Sequence, residues 1–262
     1  MRQLSISLFA WAVLAASPSR ADPASVKLTV GPPLARVDLL VPGVRRYVRY
    51  TVTADGARSV IDVWTRTLTL ESVDGEKRIH FAQRWDEAAD KAVLIQDSWL
   101  KAESLEPVTH IRHLERGGVT TIGGYRFIAG RVVGMPDLPD NARNDFVQEL
   151  PEASFNFEYD MEFLQALALA KGRVFDIPFY DPGVDKPDRY LFRVAGEERI
   201  PGPDGHPIDC WLVTADYNTG KVISRFWFAK SNQMLIREQQ EQDGGSRLIK
   251  ALLPAEAGDG HS

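Results

Sequence analysis

The stretch Arg45–Ser72, "RRYVRYTVTADGARSVIDVWTRTLTLES", decides the fold. On both sides of Asp55-Gly56 it alternates apolar and polar residues, and β-branched and aromatic side chains fill the alternation. Period two with that composition is a half-buried strand, and a Gly-containing break between two such runs is a hairpin. The following break, Asp74-Gly75 in "ESVDGEKRIHFAQRW" from Glu71, is a dipeptide suited to a two-residue hairpin turn. The same grammar continues through Val93–Gly134 and returns from Arg173 to Leu253, with turns at "DPGVDKPD", "GPDGHP" and "DYNTGK". The expectation is a mainly β chain of about a dozen strands, forming one curved antiparallel sheet or open half-barrel, far from a βαβ alternation.

Between Asp137 and Gly172 the alternation stops. "PDNARNDFVQEL" (from Pro139) and "YDMEFLQALALAKG" (from Tyr159) have helical spacing. In the second, Met161, Leu164, Leu167 and Ala168 share one face, Asp160 is placed to cap the start, and Gly172 follows the end. One or two helices are therefore expected as an insertion over about 140–172, with a helix over 160–171 on the concave side of the sheet.

Two stretches read alike: "DSWLKAESLEPVTHIRH" from Asp97 and "SRFWFAKSNQMLIREQQ" from Ser224. Each runs through a tryptophan (Trp99, Trp227), an apolar residue (Leu100, Phe228), a polar turn, an apolar pair (Pro107-Val108, Leu235-Ile236) and a charged strand. Cross-strand aromatic and β-branched pairs fix register on a buried face, so the repetition predicts two similar half-sheets.

The N-terminus carries Arg2, an apolar run from Leu4 to Ala16, Pro18 and the small residues Ser19 and Ala21. This is the three-part pattern of an export signal over residues 1–21, and the run is too short to span a bilayer as a helix. It predicts a mature protein from Asp22, exported, and periplasmic if the source is Gram-negative, with a single domain over 22–254 and a disordered tail over 255–262. Removing residues 1–21 leaves 29 basic against 36 acidic side chains, a net charge near −7. Nucleic acid and anionic membranes are poor partners for such a chain. With Cys210 alone, no internal disulfide forms, so stability rests on the core; in "IDCWLV" the thiol reads as a buried small hydrophobe.

No Gly-x-Ser-x-Gly elbow, His-Glu-x-x-His helix or phosphate-cradling glycine loop occurs. No cofactor and no catalytic residue is assigned. His110 and His113 fall on opposite faces of one strand and read as solvated; Asp181, Asp185 and Asp188 make a loop of oxygen ligands without EF-hand spacing. The aromatics are the better lead. Phe226 and Phe228 lie on one face of their strand and Trp227 on the other, so both faces must be covered. Trp64, Trp99, Leu164, Trp211 and Trp227 are the candidate ligand-lining residues, with a filled core as the competing reading.

The runs "KGRVFDIPFYDPG", "YLFRVAGEERIPGPDGHPIDCWLVTADY" and "VISRFWFAKSNQMLIRE", with "DSWLKAESLEPVTH", resemble an exported bacterial family of unknown function over about Tyr47–Leu253. More broadly the pattern is similar to periplasmic lipoprotein carriers of the LolA and LolB type. That resemblance implies an open half-barrel of antiparallel strands capped by helices, enclosing an apolar cavity for acyl chains. It implies a lipid, a lipoprotein or another envelope protein as partner, and no residue of a lipid-handling mechanism carries across. Three functions compete: binding of an apolar ligand or acylated partner in the concave sheet, non-catalytic docking of a protein through a sheet edge, and an enzyme of unrecognised type, which would need clustered acids or His in a pocket.

Overall fold

A computed structural model describes residues 25–184, 186–220 and 223–255. The export signal over 1–21, the tail beyond Ala255 and Asp185 lie outside the described residues. After β1 (Val26–Lys27) the chain forms a meander of β2 (Gly43–Val52), β3 (Arg58–Val73), β4 (Glu76–Glu87), β5 (Val93–Lys101), β6 (Pro107–Arg116), β7 (Val119–Ile128), β8 (Arg131–Gly134) and β9 (Val147–Glu149). Next come β10 (Phe155–Asn156) and α1 (Asp160–Gln165). A second meander follows: β11 (Val174–Tyr180), β12 (Asp188–Pro201), β13 (Pro207–Ala215), β14 (Ser224–Ala229), β15 (Leu235–Glu241) and β16 (Arg247–Leu252).

All these strands belong to one curved, unclosed sheet, and the two meanders meet where β16 pairs antiparallel with β2. The expected turn at Asp74-Gly75 forms: both residues have positive φ, and Val73 pairs with Glu76. The outer edge of β11 is covered at its two ends by β1 and β10, both parallel to it. Arg189 holds that edge together, with Nε on Asp176 at 2.7 Å, Nη1 on Glu152 at 2.7 Å and Nη2 on the Leu28 carbonyl at 3.0 Å.

The two similar stretches form similar structures. Both hairpins have a register shift directly after the tryptophan, at Trp99/Leu100 and at Trp227/Phe228. Both turn through a residue in the left-handed region, Leu105 (φ 55°) and Gln233 (φ 53°), whose N–H donates to the carbonyl four residues earlier.

The helical insertion is smaller than its spacing predicts. Over 139–150 there is no helix, because the Asn141 amide takes over backbone groups that a helix would use: Oδ1 accepts from the N–H of Gly124 and Arg143, and Nδ2 donates to the carbonyls of Gly124 and Met135. That chain packs onto β7 and ends in β9. The second helix, expected to reach Lys171, stops at Gln165. The carbonyls of Gln165 and Leu167 accept from Gln233 Nε2, and that of Ala166 accepts from the Arg36 N–H, so tertiary bonds replace the last helical turns.

Candidate functional site

The concave face is filled. Period two along β3 turns Asp62, Trp64, Arg66 and Leu68 inward, and β4 adds Ile79, Phe81 and Gln83. Against them lies α1, in which all five residues from Met161 to Gln165 are buried. Phe155, Phe163, Phe179, Phe192, Phe226 and Phe228 complete one continuous core, each 0% exposed. Two turns hold the helix in place. The Tyr159 hydroxyl donates to the Leu105 carbonyl at 2.8 Å, and Gln233 binds the α1 C-terminus from the equivalent position of the other hairpin. The duplicated hairpin therefore supplies one grip at each side of the plug.

The plug also carries charge. Arg66, 2% exposed, meets the Glu162 carboxylate in a fork, Nε to Oε1 at 3.2 Å and Nη2 to Oε2 at 2.6 Å. Its guanidinium lies over Phe81 and Trp64 at 4.7 and 5.8 Å. Trp64 and Trp85 stack at 3.8 Å, with Arg49 above both rings and Lys250 Nζ 4.1 Å from Trp64. Arg49 is held by Asp62, and Lys250 by Glu238 at 2.7 Å. Asp160 sits among these groups inside the barrel; desolvation pushes its carboxyl up to about 7, against the pull of Lys250 and with the push of Glu238.

Where the sheet fails to close, side chains close it. Arg112 of β6 binds Glu158, ahead of α1, and Asp181, after β11, the latter at 2.8 Å. Gln96 Nε2 donates to Glu158 at 2.9 Å. Tyr125, Val132 and Tyr180 form a small core across the same gap with Phe146 and Leu150.

The five sequence candidates do not converge. Trp64 and Leu164 belong to the main core, with half-buried Trp211 packed against it. Trp227 faces the other way, into a small core with Ile200, Cys210, Ala229 and Ile236, its Nε1 donating to Glu198 at 2.7 Å. Trp99 is half-buried on the outer face, stacked on His80 at 4.4 Å. Both faces of β14 are thus covered by side chains. Cys210 is buried as expected, and burial pushes its thiol up to about 11.

His110 departs from the solvated reading. It is 0% exposed, its Nδ1 lies 2.9 Å from Ser98 Oγ, and burial lowers its pKa to about 4. Asp181 is engaged by Arg112, and among the described residues no cluster of three His, Cys, Asp or Glu is placed to hold a metal ion. Sequence reasoning missed Arg66 and Glu162. A signal was there: Arg66 shares its strand face with Trp64 and Leu68, and a charge on an apolar face needs a buried partner.

Beyond the core, the rim offers a groove of about 590 Å³ where β2 begins and β16 ends. Pro42, Val44, Pro203, Met234, Leu252 and Leu253 make apolar walls, with Arg45 and Arg46 beside them. Val44 is 62% exposed and Val41 59%.

Among the described residues, sixteen strands form one curved, unclosed and mainly antiparallel sheet wrapped around a short helix. The chain belongs to the family described as "Protein of unknown function (DUF3108)", whose profile matches residues 49–253. A solved structure described as a beta-barrel-like protein of domain of unknown function DUF1849 from Brucella abortus is similar, with 13% identity and a TM-score of 0.48 over 82% of this chain and 100% of that one. No curated protein matches. No helix among the described residues is long and apolar enough to cross a membrane.

Proposed function

We propose that this chain is a non-catalytic, exported binding protein of the cell envelope that holds an acylated partner on its rim, with the barrel as a rigid scaffold. The observation that carries the reading is the pairing of a filled interior with an apolar groove outside it. The inward-facing side chains are buried against α1 and one another, and close-packed interiors leave few voids larger than a water molecule, so an acyl chain on the concave face would compete with α1 for the same space. The rim groove has the size and apolar walls of a small-ligand site, and Arg45 and Arg46 suit a negatively charged head group next to the chain. Export rests on the signal pattern of residues 1–21.

Docking through a sheet edge has less support. Beyond Val194, β12 pairs on one side only, with β13, among the described residues, but this stretch carries Glu197, Glu198, Arg199 and Pro201. Charges and proline are what natural sheets use to discourage strand addition. The test is organic extraction and mass spectrometry of protein purified from its native envelope, together with titration of an apolar fluorescent probe. Co-purifying lipid and saturable probe binding, lost in Val44→Asp, are expected. Binding unchanged in Val44→Asp, or neither lipid nor probe bound by the folded protein, would overturn the reading.

A further inference from the structure

We propose that a second cleft, at the end of the sheet where β4 begins and β5 ends, binds a monocarboxylate with a short hydrocarbon tail, of about the length of octanoate, between Arg78 and Lys101. The cleft measures about 310 Å³ and lies between Val30, the ends of β4 to β7 and the link from Leu150 to Ser154. It shares no lining residue with the rim groove. Its apolar side is made by Val30, Val108, Phe127, Ile128, Leu150 and Ala153, and its polar side by Arg78, Lys101 and Glu106.

Three features of the polar side point to an anion. Arg78 and Lys101 are register partners, directly opposite each other on β4 and β5. Like charges so placed repel, and an anion between them turns that repulsion into two attractions. Each cation already has one acid, Glu76 on Arg78 Nη2 and Glu106 on Lys101 Nζ at 2.9 Å, yet Glu76 is 61% exposed and holds its partner weakly. Finally, Arg78 Nη1 is buried and has no hydrogen-bond partner in the protein. A guanidinium presents its donors as a fork matched to a carboxylate; one prong holds Glu76 and the other lacks an acceptor. The apolar walls select a carboxylate that carries a hydrocarbon tail, and a volume at the low end of small-ligand sites sets the tail short.

The full-length mature protein is titrated with octanoate by calorimetry and by amide chemical-shift mapping, beside acetate, octanol and octyltrimethylammonium. Octanoate is expected to bind saturably and to shift residues around Phe127 and Leu150, with acetate, octanol and the cation each at least tenfold weaker. Arg78→Met and Lys101→Met should each weaken octanoate at least tenfold while the melting temperature confirms folding. Arg78→Lys, which keeps the charge and removes the fork, should fall between Arg78→Met and wild type. Val44→Asp, in the rim groove, should leave the octanoate-induced shifts around Phe127 and Leu150 unchanged whether or not it removes binding at the groove, which separates this site from the one proposed above. Acetate equal to octanoate would mean an adventitious anion site only. Octanol equal to octanoate, wild-type affinity in Arg78→Lys, or no binding would each overturn the proposal.

Discussion

Replacing Glu162 by Leu leaves the Arg66 guanidinium, 2% exposed, without its carboxylate. The remaining acceptors are neutral, Gln83 Oε1 and the Glu158 carbonyl at 3.2 Å, and they cannot balance the charge. Breaking a buried pair on one side costs about 3–5 kcal/mol, because the surviving ion stays desolvated. For a domain of this size, each kcal/mol moves the melting temperature by about 2–4 °C, so the variant should melt roughly 10 °C lower. Arg66→Met should be comparably damaging, since it strands Glu162. The double variant Arg66→Met/Glu162→Leu removes both desolvation penalties and adds apolar atoms beside Phe81 and Trp64; it should return to within about 1 kcal/mol of wild type. Thermal and urea unfolding of all four proteins, followed by circular dichroism, gives the coupling energy. Single variants costing under about 1 kcal/mol, or a double variant as unstable as the sum of the singles, would refute a desolvated ion pair holding the plug.

His110 makes stability fall in acid. Its folded-state pKa of about 4 lies below the ordinary imidazole value of 6.5, so the contribution is full above pH 6.5 and lost as pH drops toward 4, by about 3 kcal/mol. Urea unfolding from pH 7 to 4 should show that slope flattened in His110→Phe. Gly134→Ala should cost at least about 3 kcal/mol, since a Cβ there would lie 1.8 Å from the Arg143 carbonyl oxygen; a melting curve equal to wild type would contradict the close packing of that loop on β8. Leu164→Ala, at a position 0% exposed, should cost about 2–5 kcal/mol in the same assay, and an unchanged melting temperature would mean that α1 is not part of the core.

The strands were legible because their signal is local. Arg45–Ser72 carries its alternation on both sides of Asp55-Gly56, and Asp74-Gly75 meets the backbone demand of its turn without help from the rest of the molecule. The helices were misjudged where distant groups intervene. Nothing near Asn141 in sequence announces that Gly124 will sit under its amide, and nothing near Gln165 announces Gln233. The tryptophans scatter over different faces for a related reason. Alternation tells which residues share a face of one strand, but the shifts after Trp99 and Trp227, and the curl that gives β14 a core on each side, depend on how the whole sheet bends. Arg66 could have been flagged from its strand face alone; its partner 96 residues away could not.

The joint between the two meanders sets the order in which the molecule can be made. β2 and β16 are neighbours in space and nearly 200 residues apart in the chain, with Tyr47 opposite Leu252. Each meander can zip up by short-range turns, but the ladder uniting them waits for the last strand. Loop closure over such a separation is slow, and until it happens both edges stay exposed. The contact that commits the chain to the native state therefore forms only when residues 247–252 are available to pair. Cutting the chain before Arg247 should therefore leave two half-sheets that collapse without the final cooperative step, visible as the loss of a single sharp unfolding transition.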